Sequence, residues 1–254
     1  MSAARARRWP IADDVAALEP ERLRLYLLFL DSGSDPLESR ADILSEDERR
    51  TRDRFQFPAD RRRFAMTRTC LRLVLGHFLE MPPGEIQFEK GEFGKPFVKG
   101  SEVHFNVARS GRLALLAFSL GSKVGVDLEQ IKTEKVNTGL ARSAFSPAEL
   151  AQWRSQDPDD RRRAFFEIWT RKEALLKATG VGLSFEPRTL SLELEDDQAL
   201  DISFAEPPTW AVHSMEAPEG FAAAVSCPGR SLEFDCWTVD AGGLAADSSP
   251  ASLH

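Results

Sequence analysis

Hydrophobic and polar residues alternate strictly from residue 124 to residue 129, where the chain runs V-G-V-D-L-E. Successive side chains of a β-strand point to opposite faces, so this period of two predicts a strand with one apolar face. The opposite face carries Asp127 and Glu129. Two such carboxylates can share one cation, and Mg²⁺ prefers oxygen ligands of this kind. For these residues alone, an ordinary solvated strand face is the simpler explanation.

A period of three to four residues between positions 161 and 179 predicts an amphipathic helix that ends at Gly180. Glu173 and Lys177 lie together at the border of its apolar stripe, where an ordinary surface ion pair is the alternative. Lys172 falls within the stripe. A buried ammonium is costly unless paired, so Lys172 must reach water or meet an anion at the edge of the core.

Two capping boxes, S-E-D-E at residues 45–48 and S-P-A-E at residues 146–149, each precede a long helical stripe. The first long helix is predicted over residues 59–79 and the second over residues 161–179. This repeated order predicts an α+β fold of two similar subdomains in tandem, each a small, mainly antiparallel sheet packed on a long helix.

Short alternating segments between turn residues give the predicted strands. They are residues 23–30, 86–89, 96–98, 103–107, 112–118, 189–194, 200–204, 209–214, 221–226 and 232–239. The predicted division is an N-terminal extension at 1–20, a first subdomain at 21–122, a second subdomain with the carboxylate site at 123–239 and a flexible tail at 240–254.

Length and composition indicate a folded cytoplasmic protein. A chain of 254 residues that is 42% hydrophobic can bury one large core or two modest ones. No apolar run has the length of a membrane span, and no signal peptide pattern follows Met1. The three cysteines and four histidines lack metal-ligand spacing, which disfavours a zinc site or a Cys-His nucleophile.

The formal net charge of −7 conceals a strong asymmetry. Residues 49–72 hold nine arginines and two aspartates, a net charge of +7, whereas residues 183–254 hold thirteen acids and two arginines, a net charge of −11. One arginine-rich face on an acidic protein favours a compact polyanionic ligand or an acidic protein partner, and it disfavours nucleic acid.

G-V-D-L-E followed by F-F-E-I-W-T-R-K-E-A-L-L-K resembles the paired motifs of the 4′-phosphopantetheinyl transferases of the surfactin type. Three further segments resemble that family: G-K-P at 94–96, F-N-V-A-R-S-G at 105–111 and F-S-P-A-E at 145–149. The resemblance covers roughly residues 20 to 240, and the paired motifs are its most specific part. It implies two similar halves packed as a pseudo-dimer around a cleft.

The activity implied by the resemblance is transfer of the phosphopantetheine arm of coenzyme A to a serine of an apo acyl, peptidyl or aryl carrier protein, releasing 3′,5′-ADP. It implies a metal site of Asp127, Glu129 and Glu173 for Mg²⁺, with Mn²⁺ as a substitute. Lys172 and Lys177 would offset charge on the reacting diphosphate, and both are expected to be catalytic and coenzyme-binding residues.

The resemblance further implies coenzyme contacts from Arg63, from Lys95 and Pro96 of the G-K-P segment, and from Arg109 and Ser110. Arg109 stands where the family carries a histidine that is associated with the 3′-phosphate of coenzyme A. An arginine can hold a phosphate through its planar fork, and it stays charged at physiological pH.

Glu173 is the best candidate for the base that deprotonates the serine, directly or through a water, although a metal ligand is a poor free base. Glu149 is a second candidate. Two alternatives remain open: a hydrolase of coenzyme A or nucleotides, and a non-catalytic module that binds carrier proteins. We expect a monomer, because duplication lets one chain form both sides of the cleft. No nucleic acid or membrane partner is expected, and the carrier served, in fatty acid, polyketide or nonribosomal peptide synthesis, is left open.

Overall fold

Strands and helices form most of the chain that the computed structural model describes, residues 11–12, 15, 17–20, 22–31, 36–132, 136–182, 185–192, 198–202, 209–229 and 233–239. The strands are β1 (Ile11–Ala12), β2 (Arg22–Phe29), β3 (Phe88–Lys90), β4 (Pro96–Val98), β5 (Val103–Ser110), β6 (Leu113–Leu120), β7 (Gly125–Gln130), β8 (Gln198–Asp201), β9 (Thr209–Met215), β10 (Phe221–Pro228) and β11 (Glu233–Val239). The helices are α1 (Pro36–Ser39), α2 (Glu46–Asp53), α3 (Pro58–Phe78), α4 (Thr138–Ala144), α5 (Pro147–Ser155) and α6 (Arg161–Thr179).

The strands form two larger sheets and one small hairpin. The first sheet has the order β1-β11-β2-β6-β5, in which β2, β6 and β5 are antiparallel neighbours and β11 runs parallel to β2. The second sheet has the order β7-β10-β9-β8 and is antiparallel throughout. Strands β3 and β4 pair with each other. Strands β5 and β7 are therefore edge strands of their sheets.

The two sheets pack against each other between the two long helices. Alternate residues of β2 divide its faces, because Tyr26 and Leu28 pack with α3 whereas Leu25 and Leu27 join a core shared with β7 and β10. Beyond the second sheet, Leu175 of α6 lies in a further core with β9. The order of layers is therefore α3, first sheet, second sheet, α6, with buried apolar residues at each of the three contacts.

The structure confirms the predicted α+β class and the principal helices. Helix α6 spans residues 161–179 as predicted, and Gly180 ends it with φ of 79°. Ser45 and Ser146 both form complete capping boxes at the starts of α2 and α5. These elements were predictable because capping and periodicity act over a few residues. No helix in the described part of the chain is long and apolar enough to cross a membrane.

The last strand departs from the predicted division. Strand β11 falls within the predicted second subdomain, but it pairs with β1 and β2 in the first sheet. There the ring of Trp237 stacks on Tyr26 with 5.7 Å between centroids, and Val239 joins the core beside α3. The chain therefore returns to the first sheet, because the apolar side chains of β11 pack there. The other limits stay predictions.

One predicted strand is wrong over its described residues. The strand expected at residues 189–194 begins in a 3₁₀ helix, Pro187–Thr189, and residues 190–192 carry no strand. Its remainder, the second half of the strand at 200–204 and the tail at 240–254 lie outside the described residues. Leu190 and Leu192 are nevertheless buried. Their alternate burial explains the false signal, because a buried extended loop can share the period of a strand.

Candidate active site

Strand β7 lies directly against the backbone of helix α6 at Gly125. A Cβ atom at this position would lie 2.1 Å from the carbonyl oxygen of Ala174 and 2.3 Å from the amide nitrogen of Ala178. No side chain fits, so glycine is required by this close approach. Because Gly125 and Asp127 share one face of the strand, the carboxylate face of β7 is the face turned toward α6.

Asp127 lies where the strand and the helix meet. Its side chain is only 6% exposed, and its Oδ1 accepts a hydrogen bond from Lys177 Nζ at 2.5 Å. Its other oxygen, Oδ2, is buried without a hydrogen-bond partner. Burial raises the pKa of Asp127, and Lys177 opposes that effect. One buried oxygen of the Asp127 carboxylate is thus available to a ligand.

Glu129 is held by a residue of the other sheet. Ser110 Oγ, at the end of β5, donates to Glu129 Oε2 at 2.8 Å and accepts from the Gln130 amide at 3.0 Å. Asn106 Oδ1 on the same strand accepts from the Val126 amide at 2.9 Å. Side chains of β5 therefore bond the backbone of β7 where the two edge strands meet. Asn106 has no predicted role, although it belongs to the F-N-V-A-R-S-G segment, because its partner amide lies 20 residues farther along the chain.

Glu173 completes a group of three neighbouring carboxylates. It is half-buried, and its pKa is raised first by burial and then by the charges of Asp127 and Glu129. The pKa of Glu129 is raised chiefly by burial, with Asp127 adding to the effect. The three groups therefore repel one another in a poorly solvated place, which is an unfavourable arrangement for the protein alone.

The donor set fits a divalent cation. Three carboxylates supply hard oxygen ligands, and the free Oδ2 of Asp127 has no protein donor. A cation would also offset the burial that raises the three pKa values and the repulsion that adds to it at Glu129 and Glu173. Within the described residues, however, no three His, Cys, Asp or Glu side chains already form a complete ligand group. Binding of Mg²⁺ therefore stays a prediction.

Lys172 lies in the core, and its contacts there do not support the predicted role at the diphosphate. Its side chain is 0% exposed, it forms an ion pair with Glu149, and it donates to the Leu190 carbonyl at 2.6 Å. The anion that a buried lysine requires is thus Glu149, inside the core. Adjacent positions on a helix are 100° apart, so Glu173 faces the carboxylates while Lys172 faces the interior.

Glu149 is engaged entirely by structural contacts. Its carboxylate accepts from the Ser146 amide at 2.8 Å and from the Leu192 amide at 2.8 Å, in addition to Lys172. The residue is 0% exposed. A carboxylate so enclosed cannot reach a serine of another protein, which excludes Glu149 as the base.

Lys95 also differs from its predicted role. Its ammonium is half-buried and donates to the carbonyls of Val124, Lys177 and Ala178, at 2.8, 2.6 and 3.4 Å. Burial lowers its pKa to about 8, with a smaller contribution from the charge of Lys123. All its contacts are with the protein backbone, so the expected coenzyme contact is not supported. Its neighbour Pro96 begins β4.

The two predicted phosphate anchors lie near each other at the first sheet. Arg109 is exposed, and its guanidinium lies 5.4 Å from the ring centroid of Phe55 and 5.8 Å from that of Phe64. Arg63 donates to both carboxylate oxygens of Asp31, at 2.8 and 2.7 Å. Partial burial is the main cause that lowers the pKa of Arg109, and the charge of Arg63 lowers it further. Arg109 directly precedes Ser110, which connects these anchors to Glu129.

Two family descriptions match the chain in consecutive parts. Residues 123–226 match the 4′-phosphopantetheinyl transferase superfamily. Residues 33–120 match the N-terminal part of 4′-phosphopantetheinyl transferase. The first match contains all three carboxylates, and the second contains Arg63, Lys95 and Arg109.

Individual relatives agree. The chain is 32% identical to 4′-phosphopantetheinyl transferase HetI of Nostoc sp. over 221 residues, which is 85% of this chain and 92% of that protein. It is 26% identical to 4′-phosphopantetheinyl transferase Sfp of Bacillus subtilis, over 80% of this chain and 91% of that protein. A solved Thermotoga maritima holo-[acyl-carrier-protein] synthase matches 43% of this chain and 64% of its own, with 21% identity and a TM-score of only 0.28.

Proposed function

We propose, for a chain that belongs to the 4′-phosphopantetheinyl transferase superfamily, that Asp127, Glu129 and Glu173 bind the Mg²⁺ on which its transfer reaction depends. The protein is a 4′-phosphopantetheinyl transferase, which moves the phosphopantetheine group of coenzyme A to carrier proteins. The free, buried Oδ2 of Asp127 beside two further carboxylates is the observation that carries the proposal.

Each group has a distinct task in this proposal. The three carboxylates would hold the cation, which would supply positive charge to the diphosphate of coenzyme A. Lys177 adds a second positive charge, because its side chain is 32% exposed and its ammonium already lies at Asp127. Lys172 has no part in this set. Mn²⁺ also suits carboxylate ligands and should substitute for Mg²⁺.

The reaction is a displacement at phosphorus. The serine hydroxyl of the carrier protein forms a bond to the β-phosphorus of coenzyme A, and the bond from that phosphorus to the bridging oxygen breaks to release 3′,5′-ADP. The hydroxyl proton would pass to Glu173 through a water, because a carboxylate that also holds the cation is a poor direct base. Glu149 is unavailable because it is enclosed by Lys172 and by backbone amides.

The remaining anchors belong to the distal part of coenzyme A. Arg109 is exposed, and its guanidinium lies over two aromatic rings. Arg63 lies close enough to lower the pKa of Arg109. We assign the 3′-phosphate to Arg109 because a guanidinium binds phosphate oxygens in pairs. Ser110 donates its hydroxyl to Glu129, so in this proposal it orients a metal ligand. The cytoplasmic location and the monomeric state remain predictions, and the residues do not indicate the pathway of the carrier.

Mass spectrometry of a panel of apo acyl and peptidyl carrier proteins tests the function directly. With coenzyme A and Mg²⁺, we expect a carrier to gain the mass of one phosphopantetheine group while 3′,5′-ADP appears in equal amount. Glu173→Gln should abolish the gain. Glu167→Gln is the matched control, because Glu167 lies on the same helix in an exposed ion pair with Arg163.

Three outcomes would contradict the proposal. Release of 3′,5′-ADP without any carrier protein would indicate the hydrolase. Carrier binding without a change in mass would indicate the non-catalytic module. Full activity of Glu173→Gln, or activity that survives removal of divalent cations, would exclude the carboxylate site while leaving the enzyme class intact.

A further inference from the structure

Lys95 joins three elements beside the carboxylate site, and we propose that it positions α6 against β7 so that Lys177 meets Asp127. This inference rests on the proposed function, because it assigns Lys95 to the same site as a positioning residue. It replaces the contact with coenzyme A that the G-K-P segment suggests. The side chain would act entirely through the backbone of its neighbours.

The ammonium of Lys95 has no donor left for a phosphate. A lysine ammonium carries three N–H donors. The carbonyls of Val124, Lys177 and Ala178 accept from Lys95 Nζ at 2.8, 2.6 and 3.4 Å. A coenzyme phosphate would have to displace at least one of these bonds.

Two of the three acceptors belong to the last turn of α6. The final four carbonyls of a helix have no partner within the helix, and a cation near them is favoured by the helix dipole. The Gly180 amide bonds the carbonyl of Leu176 at 3.0 Å. Lys95 bonds the next two carbonyls, those of Lys177 and Ala178. It therefore acts as a side-chain cap for α6.

The third acceptor lies on the opposite side of the tightest contact in the site. Val124 directly precedes Gly125, where β7 and α6 are so close that no Cβ fits. Lys95 thus bonds both partners of this contact. The same Lys177 whose carbonyl it holds places its own ammonium 2.5 Å from Asp127. Loss of Lys95 should therefore loosen the Lys177–Asp127 pair.

A tight turn directs Lys95 toward this position. The Gly91 amide bonds the Lys95 carbonyl at 2.9 Å, and Gly94, just before Lys95, has φ of 81°. Such a left-handed conformation favours glycine. Pro96 then opens β4. The three letters of G-K-P therefore correspond to a turn, a cap and a strand start.

The test combines hydrogen exchange with steady-state kinetics on Lys95→Met, which keeps the apolar stem and removes the donors. Amide exchange at residues 178–182 should accelerate. The kcat should fall about tenfold or more, as for a lost partner of a site residue, with the KM for coenzyme A nearly unchanged. Lys99→Met is the matched control, because Lys99 directly follows β4, as Lys95 directly precedes it, and its side chain is 78% exposed.

Lys95→Arg should recover part of the exchange protection and of kcat, because it restores a cationic donor. If Lys95→Met does not fold, the same measurements are made on Lys95→Arg. A raised KM for coenzyme A with normal kcat and normal exchange would overturn the proposal and make Lys95 a ligand. Hydrogen exchange is measured without substrate, so it tests the cap independently of the metal site. If Lys95→Met exchanges faster while the Asp127 and Glu173 variants stay active, the proposed metal site is rejected and the cap is retained.

Discussion

Adjacent residues of helix α6, Lys172 and Glu173, lie in opposite electrostatic environments. Lys172 is completely enclosed, and its ammonium is bonded to a carboxylate and a carbonyl. Glu173 is half-buried beside Asp127 and Glu129, which repel it. The first environment is satisfied by the protein, whereas the second needs a cation from outside. Charge balance therefore separates a structural pair from a reactive site along one helix.

The largest effect is expected from breaking the satisfied pair. Lys172→Met leaves the carboxylate of Glu149 buried without its counter-charge, and the free energy of unfolding should fall by about 3–5 kcal/mol. Denaturant unfolding measures this loss. The double variant with Glu149→Gln should regain most of it, because glutamine still accepts from the Ser146 amide as in a capping box. No recovery would show that packing dominates over the charge.

In the unsatisfied site, Asp127→Asn should act on activity instead of stability. We expect the rate of carrier modification to fall by about 10²–10³-fold, as for removal of one electrostatic group in an active site. Thermal denaturation without divalent cation should change little. A loss of fold comparable to Lys172→Met would contradict the proposed contrast.

The free energy of unfolding should depend on pH through the lowered pKa of Lys95. The unfolded chain keeps this proton up to the ordinary pKa of 10.5, whereas burial lowers the folded pKa to about 8. Between these values the unfolded state binds more protons, so the free energy of unfolding should rise with pH, by at most about 3 kcal/mol. Denaturant unfolding at several pH values should show this rise in the native chain, with a smaller rise in Lys95→Met.

Ser110→Ala sharpens the contrast at the edge of the site. Without the hydroxyl, Glu129 loses its donor and the Gln130 amide loses its acceptor. Affinity for Mg²⁺ should fall by about 10–100-fold, the usual cost of removing a group that orients a metal ligand. Titration calorimetry measures it. Ser119→Ala on the neighbouring strand is a control in the first sheet, and equal weakening in both variants would argue against a local role for Ser110.

The smallest effect concerns Glu173 in the absence of a cation. Its folded pKa is raised, so the folded state holds the proton more tightly and loses stability as the pH rises through that pKa. Glu173→Gln should therefore be slightly more stable than the native chain near neutral pH, by roughly 1 kcal/mol or less. Thermal denaturation measures the difference, and added Mg²⁺ should reverse the order. A destabilised variant without cation would contradict the repulsion.

Local patterns predicted the elements of this site well. The period of two placed Asp127 on β7, and the period of three to four placed Glu173 and Lys177 together on α6. Both capping boxes also form as expected. Periodicity could not assign Lys172, because a charged residue within an apolar stripe is compatible with several partners that lie far away in sequence.

The amino-acid sequence alone was enough for the α+β class, the position of the long helices and the family resemblance, because these depend on patterns that span a few residues. Folding alone brought Lys172 to Glu149, Ser110 to Glu129 and Lys95 to the end of α6. The same holds for β11, which returns to the first sheet. Contacts between residues distant in sequence depend on which apolar surfaces meet, and no local period records that choice.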